Sequence, residues 1–404
     1  MPPDPPHGSR DRRKTRSRRL ELSLNVSGYL SNLQSFLSLP RETLPQLTAA
    51  ETRKALQWAA ERLALELVEI EGAAPTFLLL PSHSTTPGLL FFATWHAEVL
   101  PVHPAAVEGA ERLALSATLA GLGLAAGEGA PAAVVVAPGA TQGSLVLAQT
   151  LRLHRDRLRT AIGFWPRISP RAQQRRRIYL GARGRLVLGL WDAAVNPYRL
   201  RDQIVAALRE EAYGPRPLDF ELVRKLGANR DALDFLEETL DDPDAVQGQG
   251  EDRLKSALFE PHGQVMRPQV THPDRPKAWL TLDITENMNP EELLERIRGM
   301  AGGAKIEMAE GFPWDRIAIH HPSIQAQVKL SKVVSEGPEI WPAAPWMTPS
   351  GVFTRALGTP LAEWGIPLPA TTAVRFPKAE QFGTMASEAA ELIRNAIAEV
   401  SRTL

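Results

Sequence analysis

The chain has 404 residues, 44% of them hydrophobic, which is enough for two domains with separate cores. Lys plus Arg and Asp plus Glu both number 46, so no net charge attracts a polyanion to the whole protein. The absence of cysteine excludes disulfides, zinc–thiolate sites and cysteine nucleophiles. Any metal must therefore bind histidine and carboxylate ligands.

The N-terminal segment, residues 1–25, combines proline with a basic run and predicts a disordered tail. The candidate nucleic-acid or anion contacts are Arg12, Arg13 and Arg16 in this tail and Arg175 and Arg176 in the later run RAQQRRR. Neither run has interleaved aromatic side chains for base stacking, so a solvated tail and an exposed loop are favoured over a nucleic-acid partner. Without a hydrophobic signal core or an apolar run of about 18 residues, we expect a cytoplasmic protein with no membrane partner.

Residues 26–185 predict the first part of an α/β domain. Two amphipathic helices are indicated within residues 26–71, the second continuing through Leu67, followed by buried strands in TFLLLP, GLLFFATW and AAVVVA that alternate with helices. GLLFFATW is apolar on both faces, which is typical of a central parallel strand with helices on each side. Because such sheets bind ligands at the carboxyl ends of their strands, His96 and Glu98 are the first candidate site residues.

Residues 186–316 predict an inserted α+β domain. A half-solvated strand in RLVLGLW is followed by the helix NPYRLRDQIVAALREEA, a polar region with an exposed loop at ETLDDPDAVQGQGED, and then strand, helix and strand. Residues 317–404 complete the first domain, with a helix from Pro322, a short edge strand in IPLPATTAVRF and an amphipathic C-terminal helix. The predicted fold is a three-layer α/β/α sheet domain interrupted by an α+β lid.

The order of these elements, with the runs HAEVLPVHP, LALSATLAG, YLGARGRLVLGL and LDITENMNPEELLERI, resembles the dizinc exopeptidase and deacylase family. That family includes acetylornithine deacetylase, succinyl-diaminopimelate desuccinylase and the carnosine-type dipeptidases, and the resemblance extends from about residue 28 to the C-terminus. It implies two zinc ions that share a bridging water and a bridging carboxylate. It also implies a glutamate general base, a lid histidine for the oxyanion, and a lid arginine or asparagine for the substrate carboxylate.

The resemblance places His96 at the first zinc ligand and Glu98 at the acidic residue two positions later. The bridging aspartate aligns with Ala110 or Glu111, so a ligand remains there only if Glu111 takes the role. His96 is therefore the one vestigial metal-ligand candidate, and Glu98 and Glu111 are vestigial catalytic candidates.

The other functional positions of the family are occupied by residues that cannot perform its chemistry. Ala140, Thr141 and Gln142 stand where the family has its Glu-Glu pair, so the general base and a zinc ligand are missing. Trp165 falls near the next ligand position, and Arg375 aligns with the last histidine ligand. No histidine follows RLVLGLW to serve as the lid histidine, and Asp283 or a neighbour replaces the lid arginine, where it would repel a substrate carboxylate.

These substitutions predict a pseudoenzyme with a structural, regulatory or partner-binding role and no cofactor. The resemblance further implies a homodimer, or a heterodimer with an active relative, through the lid, to which the helix NPEELLERIRGM would contribute. The alternatives are a divergent zinc hydrolase of dipeptides or N-acyl amino acids using His96, and a nucleic-acid-associated protein using the basic tail. Trp341 and Trp346 belong to loop packing, to a protein contact or to a filled former cleft.

Overall fold

The structure is a computed structural model that describes residues 48–71, 74–81, 87–95, 132–138, 145–160, 162–169, 177–192, 194–212, 216–240, 246–268, 275–286, 288–332 and 338–367, together with single helical residues within 115–122 and 390–399. Its helices are α1 Ala49–Leu63, α2 Leu145–Leu153, α3 Arg155–Leu158, α4 Pro197–Glu211, α5 Pro217–Gly227, α6 Arg230–Thr239, α7 Gly250–Phe259, α8 Pro290–Met300, α9 Pro322–Lys332 and α10 Ser350–Leu357. Its strands are β1 Glu66–Ile70, β2 Thr76–Leu80, β3 Leu89–Thr94, β4 Ala132–Ala137, β5 Ile162–Ser169, β6 Arg177–Tyr179, β7 Gly181–Leu190, β8 His262–Met266, β9 Ala278–Ile284, β10 Ile306–Phe312, β11 Asp315–Arg316, β12 Glu339–Trp341, β13 Ala344–Met347 and β14 Leu361–Pro367. No helix in these ranges is long and apolar enough to cross a membrane.

The larger sheet has the strand order β1-β2-β4-β3-β5-β14-β6-β12 across the described residues. Strands β4, β3, β5 and β14 are mutually parallel, whereas β1 and β2 run antiparallel at one edge. Strand β3 alternates Leu89 and Phe91 into one apolar core and Leu90 and Phe92 into the other. The prediction of a central strand buried on both faces is therefore confirmed, as is the layered α/β fold.

The smaller sheet, which we call the lid sheet, has the order β10-β7-β9-β8 with antiparallel neighbours. Helices α4 and α8 bury the apolar face of this sheet, including Leu186, Leu188 and Leu280. Helices α5, α6 and α7 form a second core with Tyr179 and Trp341, next to the opposite face. The lid sheet is thus covered on both faces.

Three sequence expectations are corrected by this arrangement. The polar region 214–275 contains the helices α5, α6 and α7, because each keeps a narrow apolar stripe. Within ETLDDPDAVQGQGED, residues 247–249 between α6 and α7 are exposed and not helical, and residues 241–245 lie outside the described residues. Strand β7 is buried along its whole length and not half-solvated, because α5–α7 pack next to its polar face and β13 pairs with its first residues. Strand β14 includes only the first two residues of IPLPATTAVRF and lies between β5 and β6, so these two residues are not at an edge. The rest of that predicted strand lies outside the described residues.

The second predicted helix is also shorter than expected. It ends at Leu63, where Ala64 adopts a left-handed conformation with φ of 52° that terminates the helical hydrogen bonding. The following run ELVEI then forms β1 against β2, so the apolar stripe read as helix through Leu67 belongs to two elements. Thr48 and Glu51 close the start of the helix with a capping box.

Candidate functional site

The carboxyl ends of β3, β4, β5 and β14 meet at one edge of the larger sheet, because these strands are parallel. Trp95, directly after β3, is 5% exposed, and its indole Nε1 donates a hydrogen bond to the carbonyl of Pro75 at 3.0 Å. The ring also meets Phe77 edge-to-face, with centroids 6.3 Å apart. The chain is therefore anchored in the core immediately before His96.

Most of the residues predicted from the sequence lie outside the described residues. These are Arg12, Arg13, Arg16, His96, Glu98, Ala110, Glu111, Ala140, Thr141, Gln142, Arg175, Arg176 and Arg375. Trp165 and Asp283 are described, and they lie in different sheets.

Trp165 lies inside β5, four residues before its end at Ser169. Its ring is buried and contacts Phe92, with centroids 5.7 Å apart, and its backbone is in register with Glu363 of β14. Trp165, which the resemblance places near a ligand position of the family, is thus a buried residue inside β5. The segment after β5 therefore begins at Pro170.

The donor set along this edge can be tested for a dinuclear zinc centre. The seven residues after β4, PGATQGS, and the seven after β5, PRAQQRR, contain no histidine, aspartate or glutamate. The donors nearest in sequence to the strand ends of this edge are His96, Glu98 and His103, all from the segment after β3; Glu108, Glu111 and, after β14, Glu380 lie farther along the chain. Two zinc ions need about three protein ligands each, drawn from several strand ends, so these residues do not fit such a centre. In the part of the chain that the structure describes, no group of three or more histidine, aspartate or glutamate side chains is arranged to hold a metal ion.

A second polar site, which we call the lid charge cluster, lies on the face of the lid sheet opposite α4 and α8. It consists of Arg183 and Arg185 on β7, His262 on β8, Asp283 on β9 and Glu310 on β10. The antiparallel register places Arg185 opposite Asp283, and Asp283 opposite His262. Side chains opposite each other in an antiparallel pair point to the same face, so these ionisable groups converge.

Arg183 joins the lid sheet to α7. Its guanidinium donates hydrogen bonds to the carbonyl of Ala257 and, at 2.7 Å, to the carbonyl of Glu260, which is the C-cap of α7. A cation at this place satisfies terminal carbonyls of the helix and interacts favourably with its dipole. Arg183 is 3% exposed, so this contact is a buried attachment of the helix to the strand.

Asp283 provides the negative charge between the two arginines. Arg185 Nε donates to Asp283 Oδ1 at 2.7 Å, and Arg183 Nη2 lies 3.4 Å from Asp283 Oδ2. Burial works to raise the pKa of Asp283, but the charges of Arg185 and Arg183 outweigh burial and hold this pKa below its ordinary value. From the sequence, Asp283 was expected to repel a substrate carboxylate. In the structure two guanidinium groups compensate its charge, so this repulsion is no longer expected.

Burial shifts the pKa values of the other two ionisable residues of the cluster, Glu310 and His262, away from their ordinary values. Burial raises the pKa of Glu310 to about 7, against the attraction of Arg185. Burial, reinforced by the charge of Arg183, lowers the pKa of His262, whose Nε2 is 2.9 Å from the carbonyl oxygen of Ser256. His262 is therefore kept neutral near physiological pH, and Glu310 changes its charge there.

The cluster borders a cavity of about 20 Å³ that is also lined by Thr281, Gln264, Leu240, Val246 and Pro345. A space of this size holds about one water molecule. Asp283 is ion-paired and the ring of His262 contacts a backbone carbonyl, so neither is placed as an available base. The cluster is arranged for structural attachment. The sequence carried no signal of a buried cluster, because Arg183 and Arg185 alternate as residues on a half-solvated strand do.

Trp341 and Trp346 are part of the internal packing around α6. Trp341 is fully buried, with its ring 5.6 Å from that of Phe235, and Trp346 lies 5.1 Å from the ring of Tyr179. Glu339 accepts hydrogen bonds from Arg177, Asn229 and Trp341. Of the alternatives open for the tryptophans, the structure favours packing between the larger sheet and the helices of the lid.

Comparison with solved structures places this fold among known enzymes. The M20 family metallo-carboxypeptidase Sso-CP2 from Sulfolobus solfataricus superimposes with a TM-score of 0.66 at 16% identity, covering 91% of this chain and 99% of that one. Human carnosine dipeptidase 1 gives a TM-score of 0.63 at 10% identity, covering 95% of this chain and 98% of the other. The dipeptidase Dug1p from Saccharomyces cerevisiae gives 0.61 at 12% identity, covering 93% and 98%. No protein-family description and no curated protein sequence matches the chain significantly.

The chain therefore has the fold of the M20 metallopeptidases. At these identities the likeness shows the fold alone. The function has to be argued from the residues.

Proposed function

We propose that this chain is a non-catalytic protein built on the metallopeptidase fold, a pseudoenzyme with a structural, regulatory or partner-binding role. The observation that carries the proposal is the composition of the segments after β4 and β5, which provide neither a carboxylate nor an imidazole. In the dizinc exopeptidase family that the sequence resembles, the segment after β4 supplies the general base and a zinc ligand. Here that segment carries Ala140, Thr141 and Gln142.

The chemical consequence is large. Loss of a general base alone costs about 10²–10⁴-fold in rate. Loss of zinc ligands removes the activation of water, since a zinc ion needs about three converging protein ligands. Both losses fall on the same strand end, so an isolated compensating substitution would not restore the reaction.

Hydrolysis and metal content of the full-length protein test this proposal. We expect no zinc-, manganese- or cobalt-dependent hydrolysis of dipeptides or N-acyl amino acids above the blank, with yeast Dug1p as the positive control. We also expect less than about one equivalent of bound zinc after dialysis. The opposing proposal, a divergent hydrolase using His96, requires metal-dependent turnover that His96→Ala abolishes. The matched control His320→Ala removes an exposed histidine from the turn that precedes α9. It should change neither the turnover nor the zinc content.

We further propose that the lid forms a dimer, either with a second copy or with an active relative. Helix α8 packs beside β10, which pairs with β7 alone among the described residues, and Met300 at the end of α8 is 42% exposed. An unpaired edge strand beside an exposed apolar side chain supports association. Sedimentation of the full chain should show a dimer that Met300→Glu weakens, whereas Leu153→Glu on α2, outside the lid, should not. A monomer at all concentrations, which also fails to pair with an active relative, would exclude this arrangement.

A further inference from the structure

Strand β8 forms the other edge of the lid sheet and is flanked by cationic side chains. In the described part of the chain, β8 pairs with β9 alone, so its outer backbone groups face away from the sheet. An ideal Cβ at Gly263 would lie 2.8 Å from Arg201 Cγ and 2.9 Å from Val205 Cγ2. The face of α4 that carries these two side chains therefore runs directly along β8.

Helical spacing places further residues on this face of α4. Tyr198, Arg201, Val205 and Arg209 follow one another at intervals of three, four and four residues, which are neighbouring positions on one helix face. From Tyr198 to Arg209 the helix rises about 16 Å, which matches the length of a five-residue strand at about 3.3 Å per residue. The stripe therefore runs from the C-terminal end of β8, where Arg267 contacts Tyr198, past Gly263 at its N-terminal end, and Arg209 follows one helical turn after Val205.

The far end of the strand adds another guanidinium. Arg267, directly after β8, lies over the ring of Tyr198 at 5.4 Å, and Arg201 approaches the same ring at 5.7 Å. Tyr198 is 44% exposed, and Arg209 and Arg267 are exposed and make no ion pair with any described residue. Arg201 pairs with Asp202 at 2.6 Å. This edge, which we call the β8 edge surface, thus has cations at both ends and in the middle, with Asp202 as its one described acidic contact.

We propose that the β8 edge surface binds an extended acidic segment of another protein, which adds to β8 as a further strand. The free backbone groups of β8 provide the hydrogen bonds, and carboxylates of the segment meet Arg267 at one end and Arg209 at the other. Exposed guanidinium groups hold carboxylates bidentately, which fixes the register of the added strand.

A second copy of this chain is a poorer occupant of the same edge. Antiparallel pairing of two β8 strands about Gln264 would bring the Arg201 side chains of the two copies near each other, because Arg201 lies beside Gly263, one residue from the centre. It would also bring the Arg267 end of each strand to the Arg209 end of its neighbour. Like charges opposed in this way destabilise pairing, whereas an acidic segment removes the repulsion.

The inference deepens the proposed partner-binding role and rests on it, but binding and hydrolysis are measured separately, so either can fail without the other. The probe is a fluorescent peptide of about eight residues with alternating valine and glutamate, which favours an extended strand. We expect saturable binding to the full-length protein. The double variant Arg209→Glu with Arg267→Glu should weaken binding by about tenfold, because two exposed charge pairs are replaced by repulsion.

Three controls separate strand addition from general attraction of charge. Arg230→Glu, an exposed arginine on α6, should leave the affinity within about twofold. The same peptide N-methylated at alternate residues should bind weakly, since it cannot donate along the strand. A single-stranded oligonucleotide of equal charge should bind no better than this methylated peptide.

The opposite results would overturn the inference. Equal binding of the methylated peptide, or an equal loss in Arg230→Glu, would show non-specific attraction. Tighter binding of the oligonucleotide would assign the edge to nucleic acid. A concentration-dependent dimer abolished by the Arg209 and Arg267 substitutions would assign it to a second copy, and no peptide binding at about millimolar concentration would leave no such site.

Discussion

The carboxyl edge of the larger sheet and the face of the lid sheet next to α5–α7 differ in the ionisable side chains that they carry. Strands β3 and β4, which lead to the carboxyl edge, contain only apolar side chains apart from Thr94, and the seven residues after β4 are neutral. The lid sheet instead buries Arg183, Arg185, His262 and Glu310 beside Asp283. In a peptidase of this fold, we expect the reactive ionisable groups at the carboxyl edge of the larger sheet.

Buried ionisable groups with displaced pKa values often mark catalytic sites. In this chain they lie where α5–α7 meet the lid sheet, and their contacts are with each other and with the end of α7. The groups with displaced pKa values therefore attach one layer of the lid to another. Breaking each region separately tests this distinction.

The largest effect is expected in the apolar core of the larger sheet. Phe92 is fully buried, and its ring lies 5.7 Å from Trp165 and 5.1 Å from Phe353. Phe92→Ala should lower the free energy of unfolding by about 3–5 kcal/mol, because it removes apolar contacts and leaves a cavity. Urea denaturation measures this change.

The control for this core variant is Leu153→Ala on α2, where the side chain is 82% exposed. It should alter the free energy of unfolding by less than about 0.5 kcal/mol. Similar losses in the two variants would mean that Phe92 is not the centre of a close-packed layer.

The lid charge cluster gives the second expected effect. Asp283→Ala removes the carboxylate between Arg185 and Arg183, and should cost about 3–5 kcal/mol of unfolding free energy because buried cations lose their compensating charge. Replacing the pair together, as Arg185→Met with Asp283→Leu, should recover most of this loss. If the double variant were as unstable as Asp283→Ala, the ion pair itself would be required.

Much of the fold was predictable because it depends on local periodicity. The strand GLLFFATW, the helix beginning at Pro322 and the strand, helix and strand of the lid were all readable from apolar spacing. The helices α5–α7 were missed because their apolar residues, such as Val223 and Leu236, are separated by many charges. Their stability comes from packing against Trp341 and Tyr179, which are distant in sequence.

The segment after β4 and the lid charge cluster also differ in how far the sequence alone predicts them. The composition of the segment with Ala140, Thr141 and Gln142 can be read directly from the sequence, since loss of a carboxylate needs no coordinates. The lid charge cluster could not be recognised in advance, because Arg183 and Arg185 alternate as residues on a solvated strand would. Only the register of β7 with β9, and the cover that α7 provides, turn them into buried groups.

The pH dependence of stability gives the third test. The unfolded chain releases the proton of Glu310 near the ordinary value of 4.5, whereas the folded protein keeps it until about pH 7. Between these values the folded state binds more protons, so its stability falls as pH rises and then levels off. The change amounts to roughly 3 kcal/mol at most.

Glu310→Gln isolates this contribution, because glutamine does not titrate. The difference in unfolding free energy between wild type and Glu310→Gln should slope between pH 4.5 and about 7 and be flat above. The control Leu153→Ala removes no ionisable group, so it should keep the pH profile of the wild type. His262 acts in the opposite direction, since its lowered pKa makes stability fall as pH decreases below its ordinary value of 6.5. A flat profile for Glu310→Gln would show that Glu310 is not desolvated.

The smallest effect is expected for an ion pair on the solvated side of the lid. Arg296 of α8 and Glu211 of α4 form two hydrogen bonds, of 2.6 and 2.8 Å, yet the side chains are 48% exposed. Arg296 lowers the pKa of Glu211 through this contact, but solvent screens the attraction. A double-mutant cycle with Arg296→Ala and Glu211→Ala should give a coupling of about 0.2–1 kcal/mol that decreases with added salt.

The same cycle on Arg185 and Asp283 should give a larger coupling that salt hardly changes, because the two pairs differ chiefly in burial. Equal couplings would remove the distinction between a buried attachment and a surface contact, and with it the structural role assigned to the lid charge cluster.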